Sequence, residues 1–212
     1  MIRFSDGQLS TLTSWIRVGA EDASIAMSTW LERSISVEVE TVKQIPLNLA
    51  ADQLGTQDET VCACWMKVNG LINGQLFLVF DDQSGLSLCE NLLPSGTLAE
   101  SWGELETSAA METTNIVGCA FLNSLSCSLP QIYSGNDFTV DQPDFCCIPS
   151  TPVFLRDYAA AIMQSVLIDQ AWKLDSVIVI KSDLWMGDSP LPFHFMFVPD
   201  AESLERLARL IP

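Results

Sequence analysis

The same order of structural elements occurs twice along this chain of 212 residues, and this duplication limits the fold more than any single motif. Each half reads as a long helix, an extended or irregular stretch, a second helix, a two-stranded hairpin and a short helix. The halves cover about 1–95 and 96–212, and only a Pro-Ser-Gly sequence separates them. Two repeats without a flexible linker most simply share one antiparallel sheet. We therefore predict a single α+β domain over 1–212, with long helices flanking the sheet and a pseudo-twofold relation between the halves.

The first half has the clearer patterns. Apolar residues recur at helical spacing over 8–33 and alternate with polar residues over 34–42, which predicts a helix followed by a strand. Two strand-like stretches at 61–68 and 75–80 enclose a segment rich in Asn and Gly, so they predict a hairpin. The two aspartates at 81–82 then cap a short helix.

The second half begins with a proline-free helical run over 98–128. Four prolines make 129–152 irregular, and this stretch has the character of an insertion. The remaining predicted elements are a helix at Arg156–Trp172, strands at 176–181 and 193–198, and a closing helix at 201–210.

Acidic residues dominate the charge of the chain. Asp and Glu number 27 against 10 Lys and Arg, which leaves a net charge of −17. The phosphate backbone of a nucleic acid and an anionic membrane surface would both be repelled, so we expect neither as a partner. A protein partner with a basic surface is compatible with this charge.

Neither a signal-peptide pattern nor a transmembrane run of apolar residues occurs, so we expect a cytoplasmic protein whose seven cysteines are reduced thiols. Cys62 and Cys64 would point to one face of their strand, whereas Cys146 and Cys147 would point to opposite faces. Zinc-ligand spacing is absent and His194 is the one histidine, so we expect no metal site and no cofactor of the chain's own.

One polar stripe interrupts the otherwise apolar helix at 98–128. Ser108, Glu112 and Asn115 are spaced i, i+4 and i+7, so on a helix their side chains fall within about 60° of one another. Cys119 and Ser126 extend this stripe. Most such stripes are only solvated, but a carboxylate and a carboxamide one turn apart also form a surface against which a partner can be pressed.

The corresponding stretch of the first long helix carries Ser10, Ser14 and Arg17. Both helices continue through small and apolar residues after the stripe. The first helix therefore has a hydroxyl and a guanidinium where the second has a carboxylate and an amide, at the same place in the repeat.

These residues together resemble the CheC/CheX/FliY family of chemotaxis phosphatases. The family motif is Asp or Ser, three residues, Glu, two residues and Asn, followed by small residues, and it matches Ser108 to Gly118 here. Residues 18–28 resemble the family's opening helix, 70–80 its hairpin, and 157–162 the start of its second-half helix. The likeness covers nearly the whole chain and implies a CheC-like duplicated fold.

The resemblance implies a two-component signalling hydrolase, a protein phosphatase that removes the aspartyl-phosphate of a CheY-like response regulator. Asn115 would position the attacking water, Glu112 would bind a lysine of the partner, and Ser108 would be an auxiliary contact. The Mg²⁺ would belong to the phosphorylated partner. The chain departs from the family in its first site, which has Ser14 and Arg17, and in lacking the family's proline at a fixed distance after the asparagine.

A second class of function is also compatible with these residues. The chain would then be a non-enzymatic CheC-like module that binds a CheD-type deamidase or acts as a scaffold for a flagellar-switch partner. The degenerate first site and the insertion favour this alternative, whereas the joint presence of Ser108, Glu112 and Asn115 favours the phosphatase. The oligomeric state stays open.

Overall fold

The computed structural model describes residues 2–53, 59–92, 101–132, 146–167, 176–186 and 188–212. Its elements in chain order are α1 (Asp6–Leu31), β1 (Ile35–Pro46), two 3₁₀ turns (Leu47–Leu49 and Ala51–Gln53), β2 (Thr60–Gly70), β3 (Gly74–Asp81), α2 (Asp82–Leu92), α3 (Glu104–Ile132), β4 (Cys147–Pro149), β5 (Val153–Tyr158), α4 (Ala159–Leu167), β6 (Ser176–Met186), β7 (Ser189–Pro199) and α5 (Ala201–Leu210). Within these ranges, every helix is too short or too polar to span a bilayer.

Strands from both halves of the chain form one antiparallel sheet. Within the described residues its order is β1-β6-β7-β3-β2, and both β4 and β5 pair with the remaining side of β2. β1 pairs with β6 and β3 pairs with β7, so each of these contacts joins one half of the sequence to the other. The predicted α+β class and antiparallel sheet are therefore confirmed.

The predicted hairpin is formed by β2 and β3, which pair antiparallel from Val61 opposite Asp81 to Val68 opposite Gly74. Gly70 ends β2 with a φ of 112°, a conformation that a residue with a Cβ rarely adopts. A Cβ at Gly70 would also collide with the backbone carbonyl of Cys146. Glycine therefore lets β4 approach the end of this hairpin.

The two long helices, α1 and α3, pack antiparallel on one face of the sheet. Ser124 donates its hydroxyl to the carbonyl of Trp15, and one turn further along α1, Gly19 lies against Phe121. A Cβ on Gly19 would stand 2.9 Å from the Cα of Phe121, so the close approach of the two backbones needs glycine at this position. Phe121 is fully buried between the helices and the sheet, where its ring packs on Phe195 at a centroid distance of 4.6 Å.

A smaller core lies on the opposite face of the sheet. Inward residues of β2, β3, β6 and β7 pack there against the 3₁₀ turns and α4, among them Ala50, Phe77, Ile162, Val179 and Met196. The alternation of side chains along the strands thus divides apolar residues between two cores.

Two sequence predictions are wrong in part. The helix predicted at Arg156–Trp172 starts late: Arg156 to Tyr158 belong to β5, because β5 pairs with Thr60–Trp65 of β2 and this nonlocal pairing overrides the local helical pattern. The helix α4 covers Ala159–Leu167, and 168–175 lie outside the described residues.

The stretch predicted as irregular, 129–152, is also wrong at both of its ends. The helix α3 continues to Ile132, and Cys147–Pro149 form a strand paired with β2. The middle of the proposed insertion, 133–145, lies outside the described residues.

Candidate functional site

The helix α3 presents its polar stripe to solvent and its small and apolar side chains to the core. Ser108 and Glu112 are exposed and Asn115 is half-buried, whereas Thr113 and Thr114 between them are fully buried. The two threonine hydroxyls donate to the carbonyls one turn earlier on the same helix, at 2.9 and 2.8 Å. Their hydrogen bonds are therefore satisfied within α3 and do not involve the exposed stripe. Ser108, Glu112 and Asn115 therefore lie on one face of α3, as helical spacing predicts.

An open groove of about 470 Å³ runs along this stripe. Its α3 side is made by Ser108, Met111, Glu112 and Asn115. Its opposite side is made by the last residue of β4 and the connection to β5, that is, by Pro149, Ser150, Thr151 and Pro152. The fold therefore brings prolines from the end of the predicted insertion into the same groove as Asn115.

Strand β4 and its connection to β5 are held in place by hydrogen bonds on two sides, to β2 and to α3. Ser150 donates its N–H to the carbonyl of Lys67 at 2.7 Å, and its hydroxyl accepts the N–H of Lys67 at 3.0 Å. The N–H of Cys147 donates to the hydroxyl of Ser126 on α3 at 2.9 Å. Ser126, the last residue of the predicted stripe, thus ties β4 to α3.

Within the groove, Asn115 and Glu112 differ in how they are held. The Sγ of Cys119 lies 3.7 Å from Oδ1 of Asn115, within the range of a weak thiol hydrogen bond. Burial, and secondarily the negative charge of Glu112, raise the pKa of the Cys119 thiol, so it stays protonated and able to donate at neutral pH. None of the described residues forms a hydrogen bond or ion pair with the Glu112 carboxylate, which is free to meet a cation from outside.

The stripe of α1, predicted to be a degenerate copy of the site, contributes no residue to the described lining of this groove. Ser10, Ser14 and Arg17 are all exposed, and the hydroxyl of Ser14 donates to the carbonyl of Ser10 at 3.1 Å. The described lining of the groove contains none of the three. The structure therefore keeps the two stripes apart, each on its own helix.

A partly exposed ion pair near the start of α3 was not foreseen from the sequence. Arg156 donates to both oxygens of Asp82, at 2.7 and 2.9 Å, and the indole N–H of Trp102 donates to Oδ1 of Asp82 at 2.9 Å. These bonds, that of Arg156 first, hold the pKa of Asp82 at about 2. The ring of Trp102 packs on Phe154 of β5 at a centroid distance of 4.7 Å. These contacts, here called the Asp82 node, join Trp102, just before α3, to Phe154 and Arg156 of β5.

The sequence predicts only a helix cap for the aspartate pair at 81–82. Asp81 does accept the N–H of Ser84, as a cap does, but Asp82 turns to Arg156. A β-branched and an aromatic residue, Val153 and Phe154, favour a strand there, but the alanine run after Tyr158 favours a helix and concealed that signal.

The cysteines follow the strand patterns. Cys62 and Cys64 are both buried, and burial raises the pKa of Cys64 to about 11. Cys146, just before β4, is exposed and Cys147, the first residue of β4, is buried, so the two side chains differ in burial as predicted. Among the described residues, no group of three or more His, Cys, Asp and Glu side chains is arranged to hold a metal ion.

Comparison with protein-family models finds no match for this chain, and no curated protein is similar to it in sequence. Solved structures do match. FliY of Thermotoga maritima superposes with a TM-score of 0.76 at 15% identity, over 99% of this chain and 98% of that one. The FliM middle domain of H. pylori gives a TM-score of 0.67 at 13% identity, over 97% and 98% of the two chains.

The CheX–CheY–BeF₃–Mg²⁺ complex of Borrelia burgdorferi contains a chain that matches with a TM-score of 0.53 at 13% identity, over 88% of this chain and 97% of that one. Structures of FliM in complex with FliG and with SpeE, both from H. pylori, match as well. At these identities the likeness establishes the fold. The chain has the CheC-like fold that FliY, the FliM middle domain and CheX share.

Proposed function

We propose that this protein is a phosphatase for the aspartyl-phosphate of a CheY-like response regulator. The observation that carries the proposal is that Glu112 and Asn115 line the same open groove. The Glu112 carboxylate has no hydrogen-bond or ion-pair partner among the described residues, and the Asn115 amide is bonded only through its Oδ1, to Cys119. The structural likeness to a chain of a CheX–CheY complex supports a response regulator as the partner.

In the proposed reaction, Asn115 holds a water in line with the phosphorus. The water oxygen forms the new bond to phosphorus, the bond from phosphorus to the aspartyl oxygen breaks, and the carboxylate leaves with the bonding electrons. The proton of the water passes to the released phosphate. An amide suits this role because it donates and accepts without a change in charge. Fixing the water replaces an encounter with solvent by a near-attack geometry.

The charges along the groove favour a phosphoryl group that brings its own cations. The described lining contains one carboxylate, Glu112, and no Lys or Arg. A free phosphomonoester would meet no positive charge in this lining and would be repelled by the Glu112 carboxylate. A phosphorylated response regulator carries Mg²⁺ and a lysine beside its aspartyl-phosphate, and Glu112 would pair with that lysine. Ser108, at the rim, would add an auxiliary hydrogen bond.

The proposal includes the duplicated architecture. The antiparallel packing of α1 against α3 supports a relation between the two helices, each of which carries one polar stripe. The first stripe has neither the carboxylate nor the amide, so we propose one working site for each chain, in the cytoplasm where response regulators act.

Release of phosphate from a phosphorylated CheY-like regulator tests the proposal. Wild-type protein should accelerate it above the spontaneous rate, and Asn115→Ala should reduce that acceleration by about 100-fold. Asn123→Ala is the matched control, since Asn123 is an exposed asparagine on the same helix. No acceleration by wild-type protein, or equal rates for wild type and Asn115→Ala, would contradict the proposal.

The alternative is a non-enzymatic module for a CheD-type deamidase or a flagellar-switch partner. The specific observation in its favour is the degenerate stripe of α1, which carries neither the carboxylate nor the amide of the motif. Stable capture of such a partner, unchanged by Asn115→Ala and without phosphate release, would favour the module.

A further inference from the structure

We propose that the segment Pro149–Pro152, here called the groove wall, is a preformed binding surface on which Thr151 forms a hydrogen bond to the response regulator. This inference rests on the proposed function and adds the part of the partner that is recognised, which is the main chain beside its phosphorylated aspartate. The groove wall lines the same groove as Glu112 and Asn115, although α3 and the wall are far apart in sequence.

The groove wall is rigid for reasons that are visible in its contacts. Proline at each end fixes φ at two of its four residues. Pro149 is paired opposite Val68 in the sheet, and Ser150 is bonded to Lys67 through both its N–H and its hydroxyl. Pro152 is buried. The wall is thus positioned by β2 before any partner arrives, which lowers the entropy lost on binding.

The hydrogen-bonding capacity of the wall is concentrated in one side chain. The hydroxyl of Ser150 accepts the N–H of Lys67 and donates to the carbonyl of Thr151, at 3.0 and 3.2 Å. The side chain of Thr151 is exposed, and its hydroxyl has no hydrogen-bond partner among the described residues. The two prolines supply no N–H. Thr151 is therefore the polar group that the wall offers to an incoming chain.

A threonine hydroxyl matches a peptide group, because it donates to a carbonyl and accepts from an N–H. It has no charge with which to compete for the partner's Mg²⁺ or lysine, which the proposal assigns to the Glu112 side of the groove. The two sides of the groove thus have separate roles. The helix α3 acts on the phosphoryl group, and the wall binds the main chain beside the phosphorylated aspartate. Thr151 is a partner-binding residue and Ser150 a positioning residue.

Binding to a CheY-like regulator activated with BeF₃⁻ and Mg²⁺ tests the inference without turnover. Thr151→Val keeps the shape and removes the hydroxyl, so its Kd should rise about three- to ten-fold, the range of one hydrogen bond. In phosphate release, the same variant should raise KM by a similar factor and leave kcat unchanged. Thr29→Val is the matched control, because Thr29 is an exposed threonine on α1.

Ser150 gives a second, independent arm of the test. Ser150→Ala should weaken binding because the wall loses its side-chain tether to Lys67, and Ser150→Thr, which keeps the hydroxyl, should restore it. Equal Kd values for wild type and Thr151→Val would overturn the inference while leaving the phosphatase proposal intact. An absence of binding by wild-type protein would instead overturn the proposed function, and the inference with it. Circular dichroism of each variant establishes that it is folded.

Discussion

The Sγ of Cys119 lies 3.7 Å from Oδ1 of Asn115, one helical turn earlier on the exposed face of α3. A thiol that donates to Oδ1 leaves the NH₂ group of the amide facing the groove. The side chain proposed to hold the attacking water is therefore oriented by a neighbour rather than free to rotate. The raised pKa of Cys119 keeps this donor protonated at neutral pH.

Cys119→Ala should lower kcat for phosphate release by about two- to ten-fold with little change in KM, because the amide loses an orienting bond worth roughly 1 kcal/mol. Cys119→Ser, which retains a donor, should stay close to wild type. Cys127→Ala is the control, since Cys127 is an exposed thiol on the same helix. Unchanged kcat in Cys119→Ala alongside a strong loss in Asn115→Ala would refute the orienting role.

Glu112→Gln should lower the pKa of the Cys119 thiol, because the carboxylate charge is one of the two causes that raise it. The measurement is the pH dependence of alkylation at Cys119, followed by mass spectrometry so that each thiol is resolved. Burial remains in the variant, so the pKa should fall only part of the way to its ordinary value. Glu104→Gln, at an exposed glutamate in the first turn of α3, should leave the profile where it was.

Asp82→Asn should destabilise the protein at neutral pH by about 1 kcal/mol, a figure reduced for the solvent screening of this partly exposed pair. The folded-state pKa of Asp82, about 2, lies below its ordinary value, so the contribution is complete above about pH 4 and is lost as the pH falls through 2. Urea unfolding of wild type and Asp82→Asn from pH 7 to pH 2 should show that the difference between their free energies of unfolding decreases as the pH falls from about 4 to 2.

A suitable comparison for that experiment is Asp52→Asn, because Asp52 is an exposed aspartate of a 3₁₀ turn. It should leave the stability unchanged at pH 7. A difference between wild type and Asp82→Asn that persisted at pH 2 would show that the ionised carboxylate is not what stabilises the node.

Gly19→Val should destabilise the protein by about 1–3 kcal/mol, since its side chain must displace the backbone of Phe121. Gly7→Ala, in the exposed first turn of α1, meets only the Ser5 hydroxyl at 3.8 Å and should be neutral or slightly stabilising. Thermal unfolding measures both. Equal melting temperatures for wild type and Gly19→Val would show that the two helices can separate without cost.

The sequence alone determined those features that depend on local spacing. The face shared by Ser108, Glu112 and Asn115 follows from helical periodicity, and the β2–β3 hairpin follows from alternation around an Asn-Gly turn, so both were predictable. The role of the stripe in catalysis stays a prediction, as does the relation between the two halves.

Only the tertiary structure decided which distant segments meet. Arg156 joins a strand rather than a helix because β2 offers it backbone partners, and there it reaches Asp82. The prolines at 149 and 152 stand opposite Asn115 because β4 and β5 are paired to β2, which no spacing along the chain reveals. Periodicity is a property of neighbours in sequence, whereas strand pairing and the groove it builds arise from contacts between remote residues, whose free energy is set by the whole fold.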